Sequence, residues 1–139
     1  MTGGLAVLVS RRESFSAAHQ LLDPNLSDDE NRRLFGKCVS PHGHNYHLDV
    51  VVSGEIDETT GYVLDLKQLS DVICEQIIQH VDHLNLNTDV PWLKGRIPTA
   101  ENLALAFWER LRPEFGAGRL RSVRVTETDK NWAEVGDYG

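Results

Sequence analysis

Cys38-Val39-Ser40-Pro41-His42-Gly43-His44-Asn45-Tyr46-His47-Leu48-Asp49-Val50-Val51-Val52-Ser53 is the stretch that decides how the rest of this chain folds. From Tyr46 to Ser53 it reads as a β-strand, in which residues two apart share a face, so Tyr46, Leu48, Val50 and Val52 line up. The same parity carried backwards collects His44 and His42. Two imidazoles separated by one residue can grip one ion from the same side of a strand, and Gly43 between them leaves room for backbone to approach. A third ligand must come from elsewhere. His19 closes the extended segment Phe15-Ser16-Ala17-Ala18-His19, and antiparallel pairing puts it beside the start of the second strand. Three neutral imidazoles suit zinc and leave one coordination place open for substrate or water. The competing reading is three histidines that only make core or surface hydrogen bonds.

Working outward, apolar residues alternate over Leu5 to Val9, and the extended pattern continues through Phe15 to Ala17. The polar stretch Asp23 to Arg33 predicts a loop with a short helix from Ser27, an N-cap ahead of Asp28, Asp29 and Glu30. Turn formers between Asp57 and Gly61 make Gly54 to Tyr62 a hairpin or a wide connection. Asp65 sits where an N-cap belongs, and Leu66, Leu69, Val72, Ile73, Gln76 and Ile77 predict a helix to about His80. Val81 to Arg96 reads mostly as loop. A second helix starts at Thr99 after Pro98, with Glu101 in its first turn, a buried stripe of Leu103, Phe107 and Leu111, and a stop at Pro113, Gly116 and Gly118. Short strands over Arg121–Thr128 and about Asn131–Tyr138 close the chain. The expected fold is α+β: a four-stranded antiparallel sheet with two helices on one face, in ββααββ order, as one domain over residues 1–139.

Bulk properties narrow the function. The 139 residues carry a net charge of -7, which speaks against a nucleic-acid backbone as partner. A small phosphorylated substrate is still compatible, because a local pocket can be basic on an acidic protein. No stretch approaches the roughly 20 apolar residues that cross a bilayer, so no membrane partner is expected. Met1 to Ser10 lacks a basic leader and reads as the first strand rather than a signal peptide. Two cysteines, Cys38 and Cys74, are too few for a disulfide scaffold and point to a reducing cytoplasm.

Several side chains outside the histidines carry chemistry. Cys38, four residues before His42, reads as a base or nucleophile with a stabilised thiolate, as a fourth zinc ligand, or as an inert thiol. Cys74, next to Ile73 on the first helix, reads as a packing residue. Asp82-His83 offers a carboxylate beside an imidazole, although adjacent residues rarely contact each other and each could serve its own partner. Glu127 shares parity with Val123 and Val125 and so faces the buried side, which demands compensation. A ligand presenting paired N–H donors would supply it; so would an internal arginine. His47 and His80 read as structural or surface residues.

Taken together and in order, six motifs resemble one family. They are Phe15-Ser16-Ala17-Ala18-His19, Phe35-Gly36-Lys37-Cys38, His42-Gly43-His44-Asn45-Tyr46, Asp82-His83-Leu84-Asn85-Leu86-Asn87, Pro98-Thr99-Ala100-Glu101-Asn102 and Glu127-Thr128. The chain is similar, from about residue 10 to residue 130, to the 6-pyruvoyl-tetrahydropterin synthase / 6-carboxytetrahydropterin synthase family. That resemblance implies the tunnelling fold, with trimers stacked into a homohexamer and active sites shared between subunits. It implies zinc on His19, His42 and His44, and Cys38 as catalytic base or acid. Asp82 and His83 would complete a proton relay from a neighbouring subunit. Glu127 would anchor the pterin ring with help from Thr99. The implied substrate is 7,8-dihydroneopterin triphosphate, rearranged by internal redox transfer without a redox cofactor.

Two products are then open. The spacing Cys38-x-x-x-His42 resembles the carboxy-type enzymes of the queuosine (7-deazaguanine) pathway, which release acetaldehyde and triphosphate and leave 6-carboxy-5,6,7,8-tetrahydropterin. The segment Leu26-Ser27-Asp28-Asp29-Glu30-Asn31 resembles pyruvoyl-type chains, which keep the side chain as a diketone on the tetrahydrobiopterin route. Lying nearest the metal, the cysteine spacing weighs more and favours the carboxy type. A retained fold acting as a non-catalytic pterin- or purine-binding protein is the alternative from another class.

Overall fold

The computed structural model describes residues 5–139; the part of the first-strand expectation that falls on residues 1–4 lies outside them. The two extended pieces at the start join into one strand, β1 (Leu8–His19), because alternation persists through the charged residues Arg11 to Glu13. It pairs antiparallel with β2 (His42–Ser53) in unbroken register from Leu8 opposite Ser53 to His19 opposite His42. Between them lie α1 (Asp28–Phe35) and a 3-10 turn, Gly36–Val39. Ser27 and Glu30 form a reciprocal capping box at the start of α1, as the Ser-x-x-Glu pattern demands.

After β2 the chain enters α2 (Leu66–Ile73), capped by the Asp65 carboxylate on the Lys67 N–H. The expected α-helix to His80 is interrupted: a π-helical turn, Cys74–Ile78, precedes the last helical turn, α3 (Gln79–Val81). The buried residues Leu69, Ile73, Ile77 and Val81 recur every four positions. In an α-helix such steps overshoot a full turn by about 40° each, and the wider π turn gives rotation back, keeping the stripe on the sheet. Within this turn the Gln76 carbonyl accepts from Arg110 Nε at 2.7 Å. The strand β3 (Leu84–Asn85), helix α4 (Ala100–Leu111) and strands β4 (Leu120–Thr128) and β5 (Asn131–Gly136) complete the chain.

The sheet runs β3-β1-β2-β4-β5. It has five strands and is mixed, because β3 pairs parallel with Ala17 and Ala18 of β1. The expected four-stranded antiparallel ββααββ arrangement is therefore corrected by one short edge strand, and the short helix expected from Ser27, α1, adds a third helix to that order. A two-residue strand leaves no alternation to read, which is why it passed for loop. One core fills the space between sheet and helices. Phe15, Tyr46, Leu48, Val50, Val52, Val123 and Val125 of the sheet meet Leu69, Ile73 and Ile77, together with Leu103, Phe107 and Leu111 of α4. The opposite sheet face carries polar side chains, including the Arg12–Asp49 and Arg124–Glu134 ion pairs. Among the described residues no helix is long and apolar enough to cross a membrane.

Candidate metal and active site

The β1–β2 register brings the three histidines together. His19 and His42 are directly opposed, and His44 follows two residues along the same face. One ligand atom from each ring lies within 4.8 Å of the others. Gly43 sits against Ala18 in the ladder, and a Cβ there would meet the Ala17 carbonyl at 3.2 Å. Glycine thus permits the close approach of strands that the cluster needs.

Ring orientations fit a metal. The carbonyl of Pro98 accepts from His19 Nδ1 at 2.8 Å, and that of Ser40 accepts from His42 Nδ1 at 2.8 Å. A carbonyl can only accept, so the proton sits on Nδ1 and Nε2 is left as the free lone pair in both neutral rings. His44 Nε2 is buried without a hydrogen-bond partner, a state that costs about 1–3 kcal/mol unless something binds it. Burial is the main reason that His19 and His44 are shifted below the usual imidazole pKa, which favours the neutral form a metal requires. The donor set, three nitrogens from half-buried and buried imidazoles, could hold a metal ion.

Cys38 lies on the 3-10 turn that leads into β2, partly exposed and outside the three-histidine cluster. Of its three readings, the fourth-ligand one is the one this geometry disfavours. Its carbonyl accepts from the Leu21 N–H at 2.8 Å, which ties the turn to the residues just beyond His19.

Asp82 and His83 do contact each other, contrary to the expectation for adjacent residues: Asp82 Oδ1 meets His83 Nδ1 at 2.9 Å. The cause is the backbone, since His83 has φ 64° and the left-handed turn swings its ring back over its neighbour. Ser16 brackets the pair, donating its N–H to Asp82 Oδ1 at 2.9 Å and accepting the His83 N–H at 2.6 Å. His83 borders an open cavity of about 660 Å³ with Ser16, Ala18, Gly43 and Asn45. Ala17 and His44 line the same cavity, so one open space is bordered by both His83 and a histidine of the cluster.

Glu127 reaches the histidines instead of an arginine. Its Oε1 lies 3.6 Å from His44 Nε2, at the irregularity between Thr126 and Thr128 that turns β4 into β5. Thr99 caps α4 by accepting the Asn102 N–H at 3.1 Å, which leaves its hydroxyl proton available. Pro98, the residue before it, holds His19.

Sequence reasoning missed Tyr46 as a site residue. Its phenol is fully buried, 3.3 Å from His19 Nδ1, with its ring stacked on Phe15, and burial lifts its pKa well above the ordinary value. Its parity with His42 and His44 was the available signal. The carbonyls of Pro98 and Ser40 had none. His47 bonds Ser14 on the open sheet face, His80 bonds the Glu75 carbonyl beside Trp92, and the Cys74 thiol is pushed up by burial; none of these joins the cluster.

Comparison with known proteins places this geometry in context. Residues 8–137 match the family model described as 6-pyruvoyl tetrahydropterin synthase. A human 6-pyruvoyl tetrahydrobiopterin synthase is 49% identical over 125 residues, covering 88% of this chain and 86% of the relative. A protein of Archaeoglobus fulgidus assigned as 6-carboxy-5,6,7,8-tetrahydropterin synthase is 33% identical over 129 residues, covering 93% and 95%. The solved structure of Caenorhabditis elegans 6-pyruvoyl tetrahydropterin synthase superimposes with a TM-score of 0.87 at 39% identity, covering 96% of both chains.

Proposed function

The chain belongs to the 6-pyruvoyl tetrahydropterin synthase family, a family of lyases, and from that premise we propose that it is a zinc-dependent lyase acting on 7,8-dihydroneopterin triphosphate. The observation that carries the reading is the convergence of His19, His42 and His44, with His44 Nε2 buried without a hydrogen-bond partner. A zinc ion on these imidazoles supplies Lewis acidity toward the side-chain hydroxyls of the pterin.

This chain's own residues do the rest. Glu127, beside His44, accepts the N–H edge of the pterin ring and sets the distance of the side chain from the histidines. Thr99 offers its free hydroxyl proton to the same ring. Cys38, as the base, takes a proton from the side-chain carbon, and that proton returns to the reduced ring, so ring reduction is balanced by side-chain oxidation and triphosphate departs. No outside oxidant enters. Asp82 holds the His83 imidazole with its Nδ1 proton inward, leaving Nε2 to exchange protons with a hydroxyl. In this reading the dyad serves the site of a neighbouring subunit, in a homohexamer of two trimers working in the cytoplasm.

Likeness along the whole chain to 6-pyruvoyl tetrahydrobiopterin synthases favours 6-pyruvoyltetrahydropterin as the product. One observation favours the second reading, 6-carboxytetrahydropterin with loss of acetaldehyde: three residues separate Cys38 from His42. The relatives shift the weight that this spacing carries by itself. Mass spectrometry of zinc-loaded protein with 7,8-dihydroneopterin triphosphate decides between them. A diketone product supports the first reading and acetaldehyde the second. Absence of triphosphate release overturns both and leaves a non-catalytic pterin-binding protein. Cys38→Ala is expected to abolish turnover with zinc content unchanged.

A further inference from the structure

The turn that carries Cys38 has an unusual attachment. No residue of Gly36–Val39 is fully buried, and Cys38 and Val39 are only half-buried. Hydrogen bonds from the chain just past His19 hold it as well. Leu21 N–H donates to the Cys38 carbonyl at 2.8 Å, and Gln20 Nε2 donates to the Val39 carbonyl at 2.9 Å. Two consecutive carbonyls, that of the cysteine and the next, are thereby held by two consecutive residues that follow a metal-set histidine.

Gln20 is itself clamped. Asn87 Oδ1 accepts the Gln20 N–H at 2.8 Å, and Asn87 Nδ2 donates to the Gln20 carbonyl at 3.0 Å. The parallel ladder between β3 and β1 ends where Leu86 N–H reaches the Ala18 carbonyl. At Gln20 the carboxamide of Asn87 takes the place of the next peptide group, extending the ladder after the backbone has turned away. Asn85 Oδ1 accepts the Asn87 N–H at 2.9 Å and fixes the side chain that does this. A continuous chain of amide contacts therefore runs from the Asp82–His83 segment, through Asn87 and Gln20, to the carbonyls around Cys38.

We propose that Gln20, locked by Asn87, is a positioning residue that sets the Cys38 thiol against His19 and the bound pterin. This rests on the reading of Cys38 as the proton-transferring group. Hydrogen bonds fix direction but yield to thermal motion more readily than packing does, and a displacement of about 1 Å at a reacting group costs up to about 100-fold in rate. Gln20 touches no reacting atom, so its effect falls on the chemical step and not on substrate affinity.

The test compares zinc-loaded Gln20→Ala and Asn87→Ser with the parent protein. Expected are a kcat lower by roughly 10- to 100-fold, a KM and zinc content within about twofold, and faster alkylation of Cys38 by iodoacetamide, read by peptide mass spectrometry with Cys74 as internal reference. Unchanged kcat and alkylation overturn the proposal, as does zinc loss that tracks the loss of kcat. Gln20→Glu, which keeps the length but cannot donate to the Val39 carbonyl, repeats the test should Gln20→Ala fold poorly. Alkylation reads the position of Cys38 whether or not that residue is catalytic. If Cys38→Ala keeps its turnover, the functional reading fails while the clamp is still judged by alkylation.

Discussion

His19 and His42 stand directly opposite each other in the β1–β2 ladder, with ring centroids 4.5 Å apart. The arrangement that could hold a metal is thus a property of strand register more than of any loop. Because side chains alternate with period two, a slip of one residue would send His42 and His44 to the face away from His19. The buried run Tyr46, Leu48, Val50 and Val52 forbids that slip, so the hydrophobic core and the site are specified by the same alternation.

Removing His44 separates the two costs of the site. In metal-free protein, His44→Ala deletes a buried Nε2 without a hydrogen-bond partner and is expected to leave stability unchanged or to raise it by about 1 kcal/mol. In the presence of zinc the order reverses, because only the parent gains binding energy. Thermal melts with chelator and with excess zinc, beside zinc content after gel filtration, check both signs. Full zinc occupancy in His44→Ala would sink the ligand assignment.

Acid is expected to destabilise the metal-free protein. Burial lowers the folded-state pKa of His19 and His44 below the ordinary imidazole value, so the unfolded chain binds more protons. Their contribution is fully present above about pH 6.5 and declines as pH falls toward the lowered folded-state values. Each group adds a slope of at most about 1.4 kcal/mol per pH unit in that window, less for the half-buried His44. Urea titrations between neutral pH and pH 5 measure it, and His19→Phe is expected to flatten the slope. A metal-free parent equally stable across the window would refute the argument.

Much of this was legible beforehand. Parity alone put His42 and His44 on the Tyr46 face, and Ser27, Asp65 and Thr99 were recognisable as caps. Three kinds of feature were not. A two-residue strand such as Leu84–Asn85 has too few positions to show a period. The His83 ring turns back on Asp82 through a positive φ that this residue type rarely announces. The partners that orient His19 and His42 are main-chain carbonyls, and a carbonyl at Pro98, 79 residues from His19, leaves no mark in composition.

The left-handed backbone at His83 makes an opposed pair of variants informative. An L-residue in that region costs roughly 1–2 kcal/mol, and glycine avoids most of it. His83→Ala and His83→Gly both lose the imidazole, and both are expected to lose turnover. They differ in strain: the glycine variant is expected to be the more stable of the two by about 1 kcal/mol, by chemical denaturation. Equal stabilities would mean the φ of 64° stores no strain.

Thr99 is where a structural and a binding role overlap, and three substitutions pull them apart. Its hydroxyl accepts the Asn102 N–H and closes the first turn of α4, so Thr99→Ala is expected to cost about 1 kcal/mol. Thr99→Ser keeps both the cap and the hydroxyl proton and should be near neutral in stability and in KM. Thr99→Asp keeps a strong cap at a helix N-terminus but cannot donate. If the hydroxyl donates to the pterin, Thr99→Asp combines near-parental stability with a KM raised roughly 10-fold, the value of one hydrogen bond of about 1.4 kcal/mol. Should KM instead follow stability across the three variants, Thr99 acts only by holding Pro98, and through its carbonyl the ring of His19, in place.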